Sequence, residues 1–287
     1  MPTLRLVGGV LVLLALTAVA SPLVSAILEA IGWRQNFSRV YNRVFEVLLV
    51  VWLVARRREL GLGNARAIGL RREGWRWDLL AGVAIGGAGL AAALAFCWAN
   101  DGLVPELRYA EMDRVVRKTA QGLVSAVVVG GFEEIVFRGV LLRRLSLDFG
   151  KVAGVLLTTA LYGAVHLLHP RSASTQDALA GVRRTLEIFA PLGDPANLPT
   201  FATLFGFGLL LAAARLRTET LWTAIGIHAG WVALFRVGRV YFRVRRHPAW
   251  LVGEGWPPLV GSATGVVAVA ATGALLGWYL ARRRSHP

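Results

Sequence analysis

The sequence predicts an all-α membrane protein, a bundle of about eight transmembrane helices. The first observation is composition: the chain has 287 residues, 55% of them hydrophobic, and a mean hydropathy of +0.55, which is far above the range of soluble domains. The second is that apolar runs of nearly membrane-spanning length recur along the whole chain. The single cysteine, Cys97, excludes an intrachain disulfide and a thiolate metal cluster.

The candidate spans follow one another without a break in composition, which predicts one integral-membrane domain over residues 1–287. The first span is expected to be retained, although Ala18-Val19-Ala20 resembles a signal-peptide cleavage site, because its apolar run continues past Pro22 to Ile31. Residues 1–100 hold the N-terminal spans. The candidate spans lie at 4–31, 38–55, 77–99, 119–145, 151–169, 198–216, 221–243 and 258–281, the last being the final span.

The net charge of +15 comes from basic clusters at the ends of apolar runs, such as Arg56–Arg58 and Arg282–Arg284. Such clusters anchor and orient spans, and no nucleic-acid recognition module accompanies them, so we expect no nucleic-acid partner. The connection 56–76 carries seven arginines against two glutamates, which predicts a cytoplasmic location. Eight spans then place both termini in the cytoplasm.

One basic segment runs against this orientation. Arg239, Arg243, Arg245 and Arg246 fall on the non-cytoplasmic side, where an interfacial helix carrying Tyr241 and Phe242 is expected.

Two adjacent glutamates, Glu133 and Glu134, lie in the apolar run 127–142. A carboxylate at such depth costs several kcal/mol, by rough estimate, unless it is paired. Glu134 and Arg138 are four residues apart and share a helix face, so we expect an ion pair. Glu133 is rotated by about 100° from Glu134, which makes it a candidate general base. The alternative is that both glutamates only hold helices together.

Two further candidate spans each contribute a histidine. Tyr162 and His166 share a face of the fifth span, and His228 lies in the seventh. A single histidine on an apolar helix is usually structural. A glutamate and two histidines on three apolar spans instead predict one polar site, with Glu133, His166 and His228 within about 8 Å of one another.

The pattern resembles a known family. Glu133-Glu134-x-x-x-Arg138, an aromatic residue four before a histidine (Tyr162 and His166), and the final His228 are similar to the CPBP or Abi family of intramembrane proteases. That family includes the type II CAAX prenyl endopeptidases and their bacterial relatives. The similarity covers residues 119–232, the protease-like core.

The resemblance implies a glutamate-dependent peptidase. Glu133 would activate a water, His166 would orient that water or protonate the leaving amine, and His228 would stabilise the oxyanion, with Glu134, Arg138 and Tyr162 in supporting roles. One glutamate and two histidines could also hold a zinc ion, and the sequence does not decide whether a metal is bound, although no His-Glu-x-x-His motif is present.

Two positions depart from the family pattern. Tyr162 replaces the commoner phenylalanine, and Val232 stands where relatives have Asn or Asp, four residues after His228. The nearest residues that could replace this missing polar group are His169 and Trp231.

The resemblance implies membrane-embedded or membrane-proximal peptide substrates, such as peptide precursors or C-terminal sorting tails. The arginine-, alanine- and glycine-rich composition is typical of a GC-rich bacterial genome, which indicates a multi-pass protein of the bacterial inner membrane. Two alternatives stay open. One is a catalytically silent relative acting as a membrane binding or immunity protein. The other is a proton-coupled transporter, although the chain lacks the inverted repeat and paired broken helices typical of that class.

Overall fold

Helices make up nearly all of the computed structural model, which describes residues 2–168, 179–245, 248–254 and 258–285. The helices are α1 Pro2–Ala30, α2 Phe37–Ala55, α3 Trp75–Ala99, α4 Met112–Glu134, a π-helix Ile135–Leu141, α5 Leu142–Phe149, α6 Lys151–Leu167, α7 Ala180–Glu187, short 3-10 turns at Ala190–Gly193 and Pro195–Asn197, α8 Leu198–Thr218, α9 Leu221–Tyr241, α10 Ala249–Val252 and α11 Ala263–Ser285.

Five of the described helices are long and apolar enough to cross a membrane, and they lie at Thr3–Ala30, Trp75–Ala99, Pro195–Thr218, Leu221–Tyr241 and Ala263–Arg283. Helix α6 is apolar but shorter. Helix α2 forms where a span was predicted and carries Arg39, Arg43 and Glu46. The helical membrane bundle is therefore confirmed, whereas the count of eight spans stays a prediction.

The predicted span 119–145 is not one regular helix. Helix α4 ends at Glu134, the π-helix follows directly, and α5 begins at Leu142. The Leu142 N–H bonds to the Phe137 carbonyl five residues earlier, the spacing of a π turn. The irregular segment thus begins one residue after the paired glutamates.

Two compact units make up the chain. The first comprises Met1–Gly63 and Val165–Pro195, and the second comprises Asn64–Ala164 and Ala196–Pro287. In the first unit, α1 packs against α2 and α7. The second unit contains α3, α4, α8, α9 and α11, and therefore Glu133, Glu134 and His228. The expectation of one integral-membrane domain stays a prediction.

Glycines bring α3 and α9 into backbone contact in the second unit. A Cβ atom at Gly86 would lie 2.2 Å from the Ile227 carbonyl oxygen, and one at Gly230 would lie 2.7 Å from the Val83 carbonyl oxygen. Gly82 and Gly226 approach the opposite backbone equally closely. Each helix therefore presents a small-x-x-x-small pattern to the other, which permits close packing where hydrophobic transfer between helices provides little driving force.

A short antiparallel pair of strands joins the ends of α3 and α9. Strand β1, Leu103–Pro105, pairs with β2, Phe242–Val244, with Leu103 opposite Val244. Because each strand closely follows its helix, α3 and α9 run in the same direction and end together. The residues after Tyr241 thus form a strand, not the interfacial helix expected from the sequence.

Candidate active site

Glu134 and Arg138 form a fully buried ion pair. The Arg138 Nη1 donates to Glu134 Oε1 at 2.9 Å, and neither side chain is exposed to solvent. Arg138 Nη2 also donates to the Gly208 carbonyl oxygen on α8 at 3.2 Å. The pair expected from the four-residue spacing is therefore present. Pairing and added hydrogen bonds offset the cost of burying both charges.

Gly208 makes room for this arginine. A Cβ atom at Gly208 would lie 3.3 Å from Arg138 Nη2 and 2.9 Å from Thr159 Cγ2. The absence of a side chain lets the guanidinium reach the α8 backbone, so Arg138 holds α8 against the π-helix.

His228, on α9, is anchored by the same carboxylate. Its Nδ1 lies 2.8 Å from Glu134 Oε1, and its side chain is 3% exposed. An ionised carboxylate can only accept hydrogen bonds, so the network assigns the proton to Nδ1. The Nε2 atom faces Glu133, with 3.9 Å between Nε2 and Glu133 Oε2. In the neutral imidazole, Nε2 is then an acceptor directed at the second glutamate.

The two glutamates differ in exposure, as their rotation around the helix predicts. The Glu133 side chain is 25% exposed, whereas that of Glu134 is completely buried. Glu134 therefore orients His228 and Arg138, and Glu133 is the more accessible carboxylate.

The double role of Glu134 could not be read from the sequence. The four-residue spacing between Glu134 and Arg138 predicted their ion pair, which is present. The contact with His228 joins residues 94 positions apart, and it depends on the close approach of α4 and α9. A Cβ atom at Gly130, one turn before Glu134, would lie 3.0 Å from the Ala229 amide nitrogen.

Aromatic rings enclose His228. The rings of Tyr162 and Phe207 meet the imidazole edge-on, with centroid distances of 6.0 Å and 5.8 Å. The Arg138 guanidinium carbon lies 4.4 Å from the Tyr162 ring centroid. Such surroundings lower the local dielectric and strengthen the hydrogen bonds to Glu134. Phe207 carries no signal in the sequence, because it is one apolar residue among many on α8.

His166 lies in the last turn of α6 and is half-buried. It shares a helix face with Tyr162, four residues earlier. This turn falls in the first compact unit, whereas Glu133 and His228 belong to the second. The convergence of His166 with those residues therefore stays a prediction.

His169 and Trp231 are the two residues suggested to replace the polar group missing at Val232. His169 lies outside the described residues. The Trp231 indole N–H donates to Thr272 Oγ1 on α11 at 3.0 Å, and the ring stacks on Phe207 at a centroid distance of 3.9 Å. Because its only donor is engaged by α11, Trp231 does not supply the missing group in this structure.

Among the residues that the structure describes, no group of three or more His, Cys, Asp or Glu side chains is placed to hold a metal ion. Glu134, moreover, already accepts hydrogen bonds from Arg138 and His228. A zinc ion held by Glu133, His166 and His228 stays a prediction.

Comparison with known proteins agrees with this site. Residues 116–234 match the family model described as Rce1-like, Type II CAAX prenyl endopeptidase Rce1-like. No curated protein and no solved structure matches the chain. The matched segment contains Glu133, Glu134, Arg138, Tyr162, His166 and His228. Through this segment, the chain is similar to the type II CAAX prenyl endopeptidase Rce1-like family.

Proposed function

We propose that this protein is an intramembrane endopeptidase that hydrolyses membrane-embedded or membrane-proximal peptides, with Glu133 as the general base. The observation that carries the proposal is the pair formed by Glu133 Oε2 and His228 Nε2, which lie 3.9 Å apart. A water molecule about 2.8 Å from each atom fits this separation, with both atoms in acceptor positions. The similarity of residues 116–234 to a family of prenyl endopeptidases supports proteolysis as the general activity.

Glu133 and His166 can carry the proton that moves during hydrolysis. Glu133 takes a proton from the water as the oxygen attacks the peptide carbonyl, so a C–O bond forms and the carbonyl oxygen becomes an oxyanion. Collapse of this intermediate breaks the C–N bond, and the proton held by Glu133 passes to the leaving amine, with His166 as the proposed carrier. A positioned acid or base of this kind contributes about 10²–10⁴ in rate.

His228 acts through the orientation that Glu134 imposes. While neutral, its Nε2 accepts a hydrogen bond from the attacking water. As the water attacks, Glu133 can pass the proton it has taken to Nε2, and Nε2–H then stabilises the oxyanion while Nδ1–H remains on Glu134. The proton returns to Glu133 before it is transferred to the leaving amine. Arg138 holds Glu134 in place, and Glu134 has the role of an orienting carboxylate beside a catalytic histidine.

The depth of the site indicates where substrates are cleaved. His228 lies seven residues after Leu221, the first residue of α9, so it is about 10 Å from that end of the helix. The first turns of α3 and α9 lie together, since a Cβ atom at Gly82 would lie 2.3 Å from the Thr223 carbonyl oxygen. The arginine-rich connection 56–76 leads into α3 at this end. By the positive-inside rule, the scissile bond is cleaved near the cytoplasmic face.

The C-terminal helix supports the same orientation. Arg283, near the end of α11, donates to Asp78 in the first turn of α3. The C-terminal end of α11 therefore lies on the side of the 56–76 connection. We propose a bacterial inner-membrane protein with cytoplasmic termini.

Glu133→Gln tests the catalytic proposal, because the amide preserves shape and cannot accept the proton. A deletion strain carrying wild type, Glu133→Gln or the control Glu111→Gln would be compared by mass spectrometry of membrane-derived peptides. Glu111 is an exposed residue directly before α4. We expect Glu133→Gln to lose specific cleavage products by about 10² or more at unchanged protein level, and Glu111→Gln to retain them. The same products from Glu133→Gln and wild type would overturn the assignment.

A catalytically silent binding or immunity protein is the second candidate, and Val232 is the observation that favours it. In that case a biological effect of the protein, measured in the same strain, would persist in Glu133→Gln.

A further inference from the structure

The arginines at the C-terminal end of α9 have no role in the proposed chemistry. Arg239 lies in the last turn of α9, and Arg243 lies on β2. They are at the end of the helix opposite the arginine-rich connection 56–76. Because positive charge is usually concentrated on one side of a membrane protein, this second cluster requires a separate explanation.

A cavity of about 390 Å³ lies where α3 and α9 end. Its wall is mostly apolar and its remaining lining is charged. The apolar residues include Leu94, Leu103, Leu234, Phe235 and Leu259, and the charged residues are Glu106, Arg108, Arg239 and Arg243. All of these residues belong to the second compact unit.

The charged lining carries a net positive charge. Three arginines and one glutamate give 3 − 1 = +2. Arg243 Nε donates to Glu106 Oε2 at 2.6 Å, so the one carboxylate of the lining is already engaged by Arg243. Arg108 and the neighbouring Arg236 are close enough to Arg239 to repel it electrostatically. A bound anion would relieve this repulsion.

The backbone fixes the position of these arginines. The Arg108 N–H donates to the Val240 carbonyl oxygen at 2.9 Å, and the Glu106 N–H donates to the Tyr241 carbonyl oxygen at 3.0 Å. The segment leading away from β1 is thus tied to the end of α9, which holds Arg108 and Arg239 on the same side of the cavity.

Position along the helix relates the cavity to the bilayer. Arg239 lies 18 residues after Leu221, or about 27 Å along α9, close to the full thickness of the hydrocarbon core. Leu234 and Leu94 lie deeper, toward the middle of their helices. Tyr241 and Phe242, beside Arg239, are aromatic residues of the type found at membrane interfaces. An occupant must therefore be anionic at headgroup level and apolar below it.

We propose that this cavity binds an anionic phospholipid, with its phosphate at Arg108 and Arg239 and part of an acyl chain against Leu94, Leu234 and Phe235. Basic pockets between membrane helices recognise anionic headgroups in this way. The bound lipid would link the ends of α3 and α9 through both its headgroup and its chain. This binding site is independent of the proposed proteolysis.

Lipid retention after purification tests the headgroup contact. The protein would be taken from bilayers containing equal amounts of phosphatidylglycerol and phosphatidylcholine, and the retained lipids would be counted by native mass spectrometry. We expect wild type to retain phosphatidylglycerol preferentially. Arg108→Gln/Arg239→Gln should lower that preference about 30-fold, from about 1 kcal/mol for each arginine. The matched control is Arg245→Gln, since Arg245 is exposed beside the cavity without lining it.

Gly238→Leu tests the acyl-chain contact without changing any charge. Gly238 lines the cavity, and a Cβ atom there would meet Leu94 Cδ1 at 3.9 Å, an ordinary contact, so the helix can accept a larger side chain. We expect this variant to fold normally in detergent and to lose retained phosphatidylglycerol by filling the cavity.

Several results would overturn the proposal. These are equal retention of both lipids by wild type, an equal loss with Arg245→Gln, and unchanged retention with Gly238→Leu. Displacement of the lipid by inorganic phosphate alone would show a simple anion site, and displacement by an acidic peptide would show a substrate groove.

Discussion

Glu134→Gln should destabilise the protein strongly although it changes only one atom. Both the Arg138 and the His228 hydrogen bonds end on Oε1, and Oε2 makes no hydrogen bond to any described residue. An amide with its oxygen at the Oε1 position preserves both contacts. The substitution therefore removes charge while leaving the geometry nearly unchanged.

The magnitude follows from the burial of Arg138, whose side chain is not exposed to solvent. Removing the carboxylate leaves an uncompensated cation in a low-dielectric interior, which costs about 3–5 kcal/mol. For a chain of this size, such a loss lowers the unfolding midpoint by on the order of 10 °C. Thermal unfolding in detergent micelles would measure it. Glu133→Gln is the matched control, because the Glu133 side chain is 25% exposed whereas that of Glu134 is completely buried, and it should shift the midpoint much less.

The double variant Glu134→Gln/Arg138→Met separates charge from shape. It leaves no isolated charge, so it should recover most of the stability lost in the single variant. A double variant as unstable as Glu134→Gln would refute the reasoning, as would a single variant that unfolds at the same temperature as Glu133→Gln.

Three further predictions concern packing and the family departure. Val232→Asn should leave the rate of peptide cleavage unchanged or slightly reduced if another group completes the site, and a gain of about 10² or more would show that the native site is incomplete. Gly86→Leu should abolish the α3–α9 contact and lower the yield of folded protein in size-exclusion chromatography, whereas Gly87→Leu should not, because no atom lies within 4 Å of a Cβ at Gly87. Gly208→Ala should displace Arg138 and lower the unfolding midpoint. An unchanged midpoint would show that α8 can shift to accommodate the methyl group without loss of stability.

The parts predicted correctly from the sequence depend on local physical chemistry. The cost of leaving backbone groups unpaired in a bilayer turns long apolar runs into helices, and composition alone therefore led to the membrane bundle. The spacing of Glu134 and Arg138 on one helix was sufficient for their ion pair, because residues four apart share a face whatever the rest of the chain does.

Other features depend on contacts between helices. Composition treated 119–145 as one span and could not locate the π-helix after Glu134, since one extra residue in a helical turn leaves no hydrophobic signature. It also could not show that Phe207 covers His228, or that β1 and β2 tie α3 to α9. The last two features join segments that are far apart in the chain.

The sequence by itself therefore determined the class of protein, the positions of most helices, the family that the chain resembles and the polar residues worth considering, because hydrophobicity and helix periodicity act within one segment. Only the tertiary structure decided how those residues are used. Glu134 serves both Arg138 and His228 because glycines let α4 and α9 approach closely, and this approach directs the free nitrogen of His228 toward Glu133.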